Sequence, residues 1–397
     1  MMNIILFDSP VVRLNLLPLT FTRPVAALRC GILTIAEKWE KRIGATVSFQ
    51  TEEYLAEKFP TNSAAESLFI NGSILPDAPL IHAIESLNTG QALVQDGELL
   101  AIKTSSTDTK DWSTAEQVGY SGADRITHVW DLFRKNGAQI RADFSLLTAE
   151  RTSRPMSDPH TRVYHPENIF IEEGAVVMAA TLNATDGPIY ISRDSVIAEG
   201  SLVRGPFSIG ERSQLAMGTI IRGDTTVGPG CKVGGEIGNA VFLEHSNKAH
   251  DGYLGNAVIG AWCNLGAGTT ASNLTNSFGE ARLWNYATSR FERTGSPFCG
   301  LVMGDNTTTA IGTLFNTATS VGTGSRIFGA GFPRTFIPPF SRGGSSGFDV
   351  LDPKTIIQFA EQMMSRRGVN MTDTDKNILL ALHARLPELR KLSPRNN

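Results

Sequence analysis

The sequence predicts two architectures in tandem. An α/β region over residues 1–150 is followed by a left-handed parallel β-helix of hexapeptide repeats over 167–340 and a helical cap over 341–397. Three observations predict this. Ile191, Ile197, Val203, Ile209, Leu215, Ile221, Val227 and Val233 recur at steps of six residues. The 38 glycines concentrate after position 170. Before position 150, strand-like and helix-like segments alternate.

Residues 3–7 are apolar on both faces and read as a buried strand of a parallel sheet. Residues 32–43 carry apolar side chains at helical spacing, with Gly44 placed to cap the end. Residues 45–49 read as a strand, 52–59 as a helix, and 68–70 as a strand ending at Asn71-Gly72. The Ser/Thr/Asp-rich stretch 104–114 reads as a loop, and 130–148 as helix followed by extended chain. Residues 151–166 hold three prolines and read as a linker between the two regions.

A period of six is not near a multiple of 3.6, so the aliphatic run is not helical. In a hexapeptide β-helix each short strand points one aliphatic inward, and three strands close one triangular coil. Ile171 and Val177 precede the run, and Ile237 with Leu243, Ile259 with Leu265, and Val321 with Ile327 extend it after slips of phase. Gly210, Gly223 and Gly228 fall at turn positions. Residues 276–294 and 335–348 interrupt the rhythm and read as external loops. Residues 352–366 form an amphipathic helical pattern, and residues 372–375 suit a capping-box start to a second helix through 386. Both helices are expected to cover the end of the coil stack or a neighbouring subunit.

Composition narrows the function classes. A net charge of -3 and only 19% charged residues argue against a nucleic-acid or anionic-membrane partner. No apolar run approaches the ~20 residues of a membrane helix, and the first ten residues lack the basic and apolar regions of a secretory leader. Cys30, Cys231, Cys263 and Cys299 form no paired motif, so reduced thiols in a cytoplasmic protein are expected.

Leu17-Pro18-Leu19-Thr20-Phe21-Thr22-Arg23-Pro24 resembles the PLT-x-T-x-P-K-P segment of sugar-phosphate nucleotidyltransferases. The resemblance implies a Gly-rich phosphate loop upstream, a lysine after the proline, and an Asp after Asn-Gly that holds Mg²⁺. This chain departs at all three points: residues 7–15 hold no glycine, Val25 replaces the lysine, and Ser73 replaces the Asp, with Asp77 nearby. Phosphoryl transfer depends on that charge neutralisation. Asp8, Arg23 and Arg29 are the candidate residues, and Mg²⁺ the cofactor, if this region is active. Otherwise it serves binding or assembly.

The chemistry-bearing stretch is 246–274, SNKAHDGYLGNAVIGAWCNLGAGTTASNL. His250 has a reference pKa of about 6.5, suited to taking a proton from an amine. Asn273 can orient that amine, and Tyr253 and Asn264 can hydrogen-bond a sugar or its phosphate. Backbone N–H groups near Gly266, Ala267 and Gly268 can approach an acyl oxyanion. Ser246, His250, Tyr253, Gly255, Asn256, Ala257, Ile259, Gly260, Asn264, Leu265, Gly266, Ala267, Gly268, Thr269 and Asn273 resemble, without a gap, a pattern of the acetyltransferase half of bifunctional N-acetylglucosamine-1-phosphate uridyltransferase/glucosamine-1-phosphate acetyltransferase.

That resemblance implies a catalytic base at His250 assisted by Asn273. It implies an acceptor-binding arginine at Arg222, acetyl-CoA as donor along Gly266, Ala267, Gly268 and Ala330, and a homotrimer with sites between neighbouring β-helices. The acceptor would be an amino-sugar phosphate or a nucleotide sugar. The family's lysine after the serine is Asn247 here, with Lys248 one step on as the substrate-binding candidate, and a further downstream lysine is missing.

Other readings stand beside this one. His250 can be a structural histidine. His245 and His250, five apart, have the spacing of zinc-binding β-helices, yet residues 203–244 hold no third histidine for a three-ligand catalytic site; no metal is expected there. The chain can instead be a sugar-1-phosphate nucleotidyltransferase whose β-helix serves assembly, or a non-catalytic trimer that binds a nucleotide sugar.

Overall fold

A computed structural model describes residues 2–62, 64–109 and 112–391, with side chains through 389. The chain clusters into two compact units, one of residues 1–16, 22–28 and 33–128, the other of 17–21, 29–32 and 129–397. Helix 129–148, which the sequence groups with the α/β region, is thus counted with the β-helix.

The first unit is built on a six-stranded mixed sheet. Strand Asn3–Phe7 lies one in from the edge and runs parallel to Val47–Gln50 on one side and Ser67–Asn71 on the other. Ile5, Phe7, Phe69, Ala92, Leu99 and Ile102 make one core of this sheet. Helix α1 (Pro10–Asn15) follows the first strand directly. Helix α2 (Ile35–Ile43) begins three residues later than expected, because Thr34 and Glu37 form a reciprocal capping box; Gly44 ends it in a left-handed conformation, φ 67°. Residues 52–59 form only a 3-10 turn, Glu53–Leu55. The Phe49 N–H donates to the Pro60 carbonyl and draws the chain back before a longer helix can grow. Helix α3 (Ala78–Glu85) is capped by Asp77, whose carboxylate accepts from the Leu80 N–H.

In the second unit, α4 (Val129–Thr148) is helical throughout, not extended in its second half. Val129, Trp130, Leu132, Phe133 and Ile140 bury one stripe of it. Residues 151–166 are tied to the coil rather than free: Arg162–Tyr164 pairs with Thr181–Asn183 as a first rung, and Arg151 pairs with Glu172.

The coil is the parallel β-helix that the hexapeptide rhythm predicts, each strand pairing in parallel with the strand one coil on. Ile189 stands in register with Phe207, and Phe207 with Thr225, three hexapeptides apart each time. All eight in-phase aliphatics are buried. Each contributes about 1.5–3 kcal/mol by leaving water. They rise in columns, one being Ile197, Leu215 and Val233, another Val203, Ile221, Ile237 and Leu254. At the first slip of phase the column Ile209–Val227 continues through Phe242, not Leu243.

The two interruptions are structured. Within 276–294, Arg282–Asn285 and Arg290–Arg293 form an antiparallel hairpin, and Trp284 stacks on Phe336 with ring centroids 4.5 Å apart. Residues 335–348 are no loop. Phe336–Ile337 continues the stack on Ser320–Val321, and Ser341–Gly344 pairs antiparallel with Gly347–Val350. Helix α5 (Pro353–Ser365) starts at the Asp352 cap and α6 (Asp373–Ala384) at a Thr372–Asp375 capping box, followed by α7 (Leu386–Lys391). Helix α5 lies along the flank of the coil, where the Arg326 guanidinium sits over the Phe359 ring at 4.8 Å. No helix among the described residues is long and apolar enough to cross a membrane.

Candidate functional site

Strand Asn247–Lys248 ends at a corner of the coil, and the chain turns through residues 249–252 into strand Tyr253–Ile259. His250 sits in that corner, exposed, and its imidazole has no hydrogen-bond partner among the described residues. Its backbone, by contrast, is held from within. Lys248 occupies the inward column between Val233 and Leu265. Its ammonium donates to the carbonyls of Gly234 (3.2 Å), His250 (3.0 Å), Asp251 (3.4 Å) and Gly252 (2.9 Å). Burial lowers its pKa to about 8, against the opposing pull of Asp251. This corrects the expectation that Lys248 meets the acceptor: it is buried and fixes the corner instead.

The next corner, at Gly266, Ala267 and Gly268, stacks on that of His250, since the Gly268 N–H donates to the Asp251 carbonyl at 3.1 Å. The Gly266 N–H is also engaged, by the carbonyl and hydroxyl of Thr309. Of the three N–H groups expected to meet an oxyanion, only that of Ala267 has no partner among the described residues. Ala330 lies on the same edge two coils further, after strand Arg326–Ile327, and its carbonyl accepts from the Ser345 hydroxyl.

On the face that begins after the His250 corner, Tyr253, Asn273, Asn256, Glu236 and Arg222 come together. Glu236 is the register partner of Tyr253. Arg222 pairs with Glu236, Nε to Oε1 at 2.7 Å. Asn273 donates through Nδ2 to the Asn256 side chain at 2.7 Å, and that Nδ2 and the Tyr253 hydroxyl both lie beside Gly255. Burial and the Glu236 charge push the Tyr253 pKa up, while Arg222 and Asn273 oppose this. Gly255 is what leaves room: a Cβ there would lie 2.2 Å from the Tyr253 hydroxyl and 2.9 Å from Asn273 Nδ2.

Asn264 is on a different face. It accepts from Asn247 at 2.8 Å on the sheet that precedes the corner, so His250 stands between an amide pair on one side and the Tyr253 cluster on the other. His245 is at another corner, stacked on Trp262 at 4.1 Å, and does not join His250. Among the described residues, no group of three or more His, Cys, Asp or Glu is placed to hold a metal ion. The four cysteines are buried and form no disulfide.

Sequence reasoning misses Glu236, and it places Asn256 in the matched pattern without giving it a role. A signal was present: Gly-Asn-Ala-Val occurs at 238–241 and again at 255–258, and the two segments lie in register.

In the first unit, the position expected for a phosphate loop is closed on itself. Asp8, at the end of the first strand, accepts from the Val25 N–H (2.8 Å), the Thr51 hydroxyl (2.6 Å) and Arg13 (3.0 Å). Arg13 also donates to the Arg23 carbonyl and the Tyr54 hydroxyl. Burial pushes the Asp8 pKa up, with Arg13 the strongest opposing influence. The Asn71 side chain accepts from the Ser73 N–H and hydroxyl, and Asp77 caps α3. The residues at that motif therefore do not fit a Mg²⁺ ion. Arg23 is buried, and Arg29, in the second unit, donates to the Ile32 carbonyl.

Residues 4–152 match the family model of the sugar nucleotidyl transferase. No curated protein matches the chain. Among solved structures, a UDP-N-acetylglucosamine acyltransferase of Arabidopsis is similar at 15% identity over 59% of this chain and 91% of that one, with a TM-score of 0.29. The UDP-N-acetylglucosamine acyltransferase of Campylobacter jejuni is similar at 13% identity over 56% and 94%, TM-score 0.23. A polysialic-acid-specific acetyltransferase is similar at 11% identity over 57% and 99%, TM-score 0.28. The fold assignment rests on the strand pairing, not on these low scores.

Proposed function

We propose that the chain is a transferase that moves an acetyl group from acetyl-CoA to the amine of an amino-sugar phosphate or nucleotide sugar. One observation carries this reading. His250 presents an unpartnered imidazole at a pinned corner, between the Asn247–Asn264 amide pair and the Tyr253–Asn273 cluster. The amine attacks the thioester carbonyl to form the C–N bond and a tetrahedral oxyanion, its proton passes to the His250 imidazole, and collapse of the oxyanion breaks the C–S bond as the imidazolium returns the proton to the thiolate, which leaves as the CoA thiol. The Ala267 N–H is the donor left for the oxyanion. Asn273 orients the amine, while Tyr253 and Arg222 hold the acceptor. Asn264 bonds the sugar or its phosphate from the other face. Gly266, Ala267, Gly268 and Ala330 line the donor's path along one edge.

A homotrimer belongs to the same reading. Leu202 and Ile220 stand exposed in the outward ladder that continues through Glu236 to Tyr253, and Met217 is 76% exposed at a neighbouring corner. A trimer would cover these side chains, and a solution mass of one chain would count against it.

Thiol release from acetyl-CoA with glucosamine-1-phosphate as acceptor tests the reading, with His250→Ala as the control. A second reading, sugar-1-phosphate nucleotidyl transfer by the first unit, is favoured by the family match over residues 4–152. Pyrophosphate release from UTP or dTTP with a sugar phosphate tests it.

A further inference from the structure

Between α5 and the flank of the coil lies a cleft of about 1010 Å³, which His250 does not line but which shares Asn247 and Asn264 with the candidate acceptor site. Its floor is the outward row Lys232, Asn247, Asn264, Thr308 and Arg326, each in register with the next. Arg366 and Arg367 overhang it from the end of α5. The four cations have no carboxylate partner among the described residues. Arg326 is mostly buried and donates to the Asn306 and Ser325 carbonyls, and Arg367 donates to the Gly230 carbonyl. Glu361 is the only acidic lining residue, and Lys376 holds it at 3.0 Å.

Three arginines and a lysine around one cavity, in a chain of net charge -3, form a site for an anion. The cavity is at the upper end of the ~300–1,000 Å³ range of small-molecule sites, too large for a phosphate alone. One wall is aromatic, His245 backed by Trp262 in a parallel stack. The amides of Asn247 and Asn264 and the Thr308 hydroxyl add neutral donors and acceptors in the middle of the floor.

We propose that this cleft binds a nucleoside phosphate, with its phosphates on Lys232, Arg326, Arg366 and Arg367 and its base toward the His245–Trp262 wall. The nucleotide can be the ADP portion of CoA or the nucleoside diphosphate of a nucleotide sugar, since both present the same chemistry. The site does not need His250 to be catalytic.

Calorimetry of the full chain against ADP, UDP, CoA and inorganic phosphate tests this. At least one nucleotide should bind once per chain with a Kd of about 100 μM or below, and inorganic phosphate at least ~10-fold more weakly. Binding of CoA and ADP without UDP identifies the acyl donor's nucleotide, and binding of UDP alone identifies a nucleotide sugar; either supports the site. The double variant Lys232→Gln/Arg366→Gln changes two exposed side chains and should keep the melting temperature while weakening that event at least ~10-fold. His250→Ala should leave it unchanged, so failure of acetyl transfer and failure of this site are distinguishable. The proposal is overturned if no nucleotide binds with a Kd of about 100 μM or below, if phosphate binds as well as the nucleotides, or if the double variant binds like wild type.

Discussion

The ammonium of Lys248 lies 3.0 Å from the carbonyl oxygen of His250, and it reaches that oxygen from inside the coil. The inward column that runs through Ile197, Leu215 and Val233 receives a lysine at the level where the exposed histidine turns the corner. Lys248→Met restores an apolar column but removes the anchor. The lost charged hydrogen bonds and the removed buried charge oppose each other, so stability should change by only about 0–2 kcal/mol. Acetyl transfer should fall ~10-fold or more, about 1.4 kcal/mol of barrier, as His250 loses its fixed position. Thermal melting beside steady-state kinetics separates the two effects.

The same lysine predicts a pH dependence. Its folded pKa is lowered to about 8 from 10.5. Between these values the unfolded chain keeps a proton that the folded chain has released, so raising the pH favours the fold. The melting temperature of wild type relative to Lys248→Met should therefore climb from pH 8 toward 10.5. A flat difference across that window would remove the claim that burial disfavours the charged form.

In the proposed reaction Arg222 and Asn273 act on the acceptor. Arg222→Ala should raise the acceptor KM ~10-fold with a smaller effect on kcat. Gly255→Ala should mimic Asn273→Ala in rate, because its Cβ occupies the space of the Tyr253–Asn273 contact. Normal activity in Gly255→Ala would show that this contact is dispensable.

Arg13→Ala leaves the Asp8 carboxylate buried without its cation. The cost should be about 3–5 kcal/mol near neutral pH. The Asp8 pKa, already raised by burial, rises further without Arg13, so the folded variant takes up a proton before the unfolded chain does. The stability deficit should shrink as the pH falls through that raised pKa. Chemical denaturation at several pH values reads this directly.

Much of the coil was legible because its signal is local and repeated. One aliphatic every sixth residue from Ile191 to Val233 has one physical solution, and all eight are buried. The limit was reached where spacing no longer tells inward from outward. Lys248 is polar and next to the histidine, so it reads as a ligand contact; only the register with Val233 shows that it points into the core. Helix 129–148 was half misread because its buried stripe is set by tertiary packing, which propensity does not carry. In the first unit, the absent glycines were visible, but the Asp8–Arg13 closure spans residues that only folding brings together with Thr51 and Tyr54.

In the proposed reaction His250 takes the amine's proton during acetyl transfer. The most direct measurement is thiol release from acetyl-CoA in the presence of an amino-sugar phosphate, in wild type and His250→Ala. The account predicts acceptor-dependent release by wild type and a loss of at least ~100-fold in the variant, the scale of general-base catalysis, with the melting temperature unchanged. Equal release by the two proteins, or none by wild type with any amino-sugar phosphate or nucleotide-linked amino sugar, would contradict it.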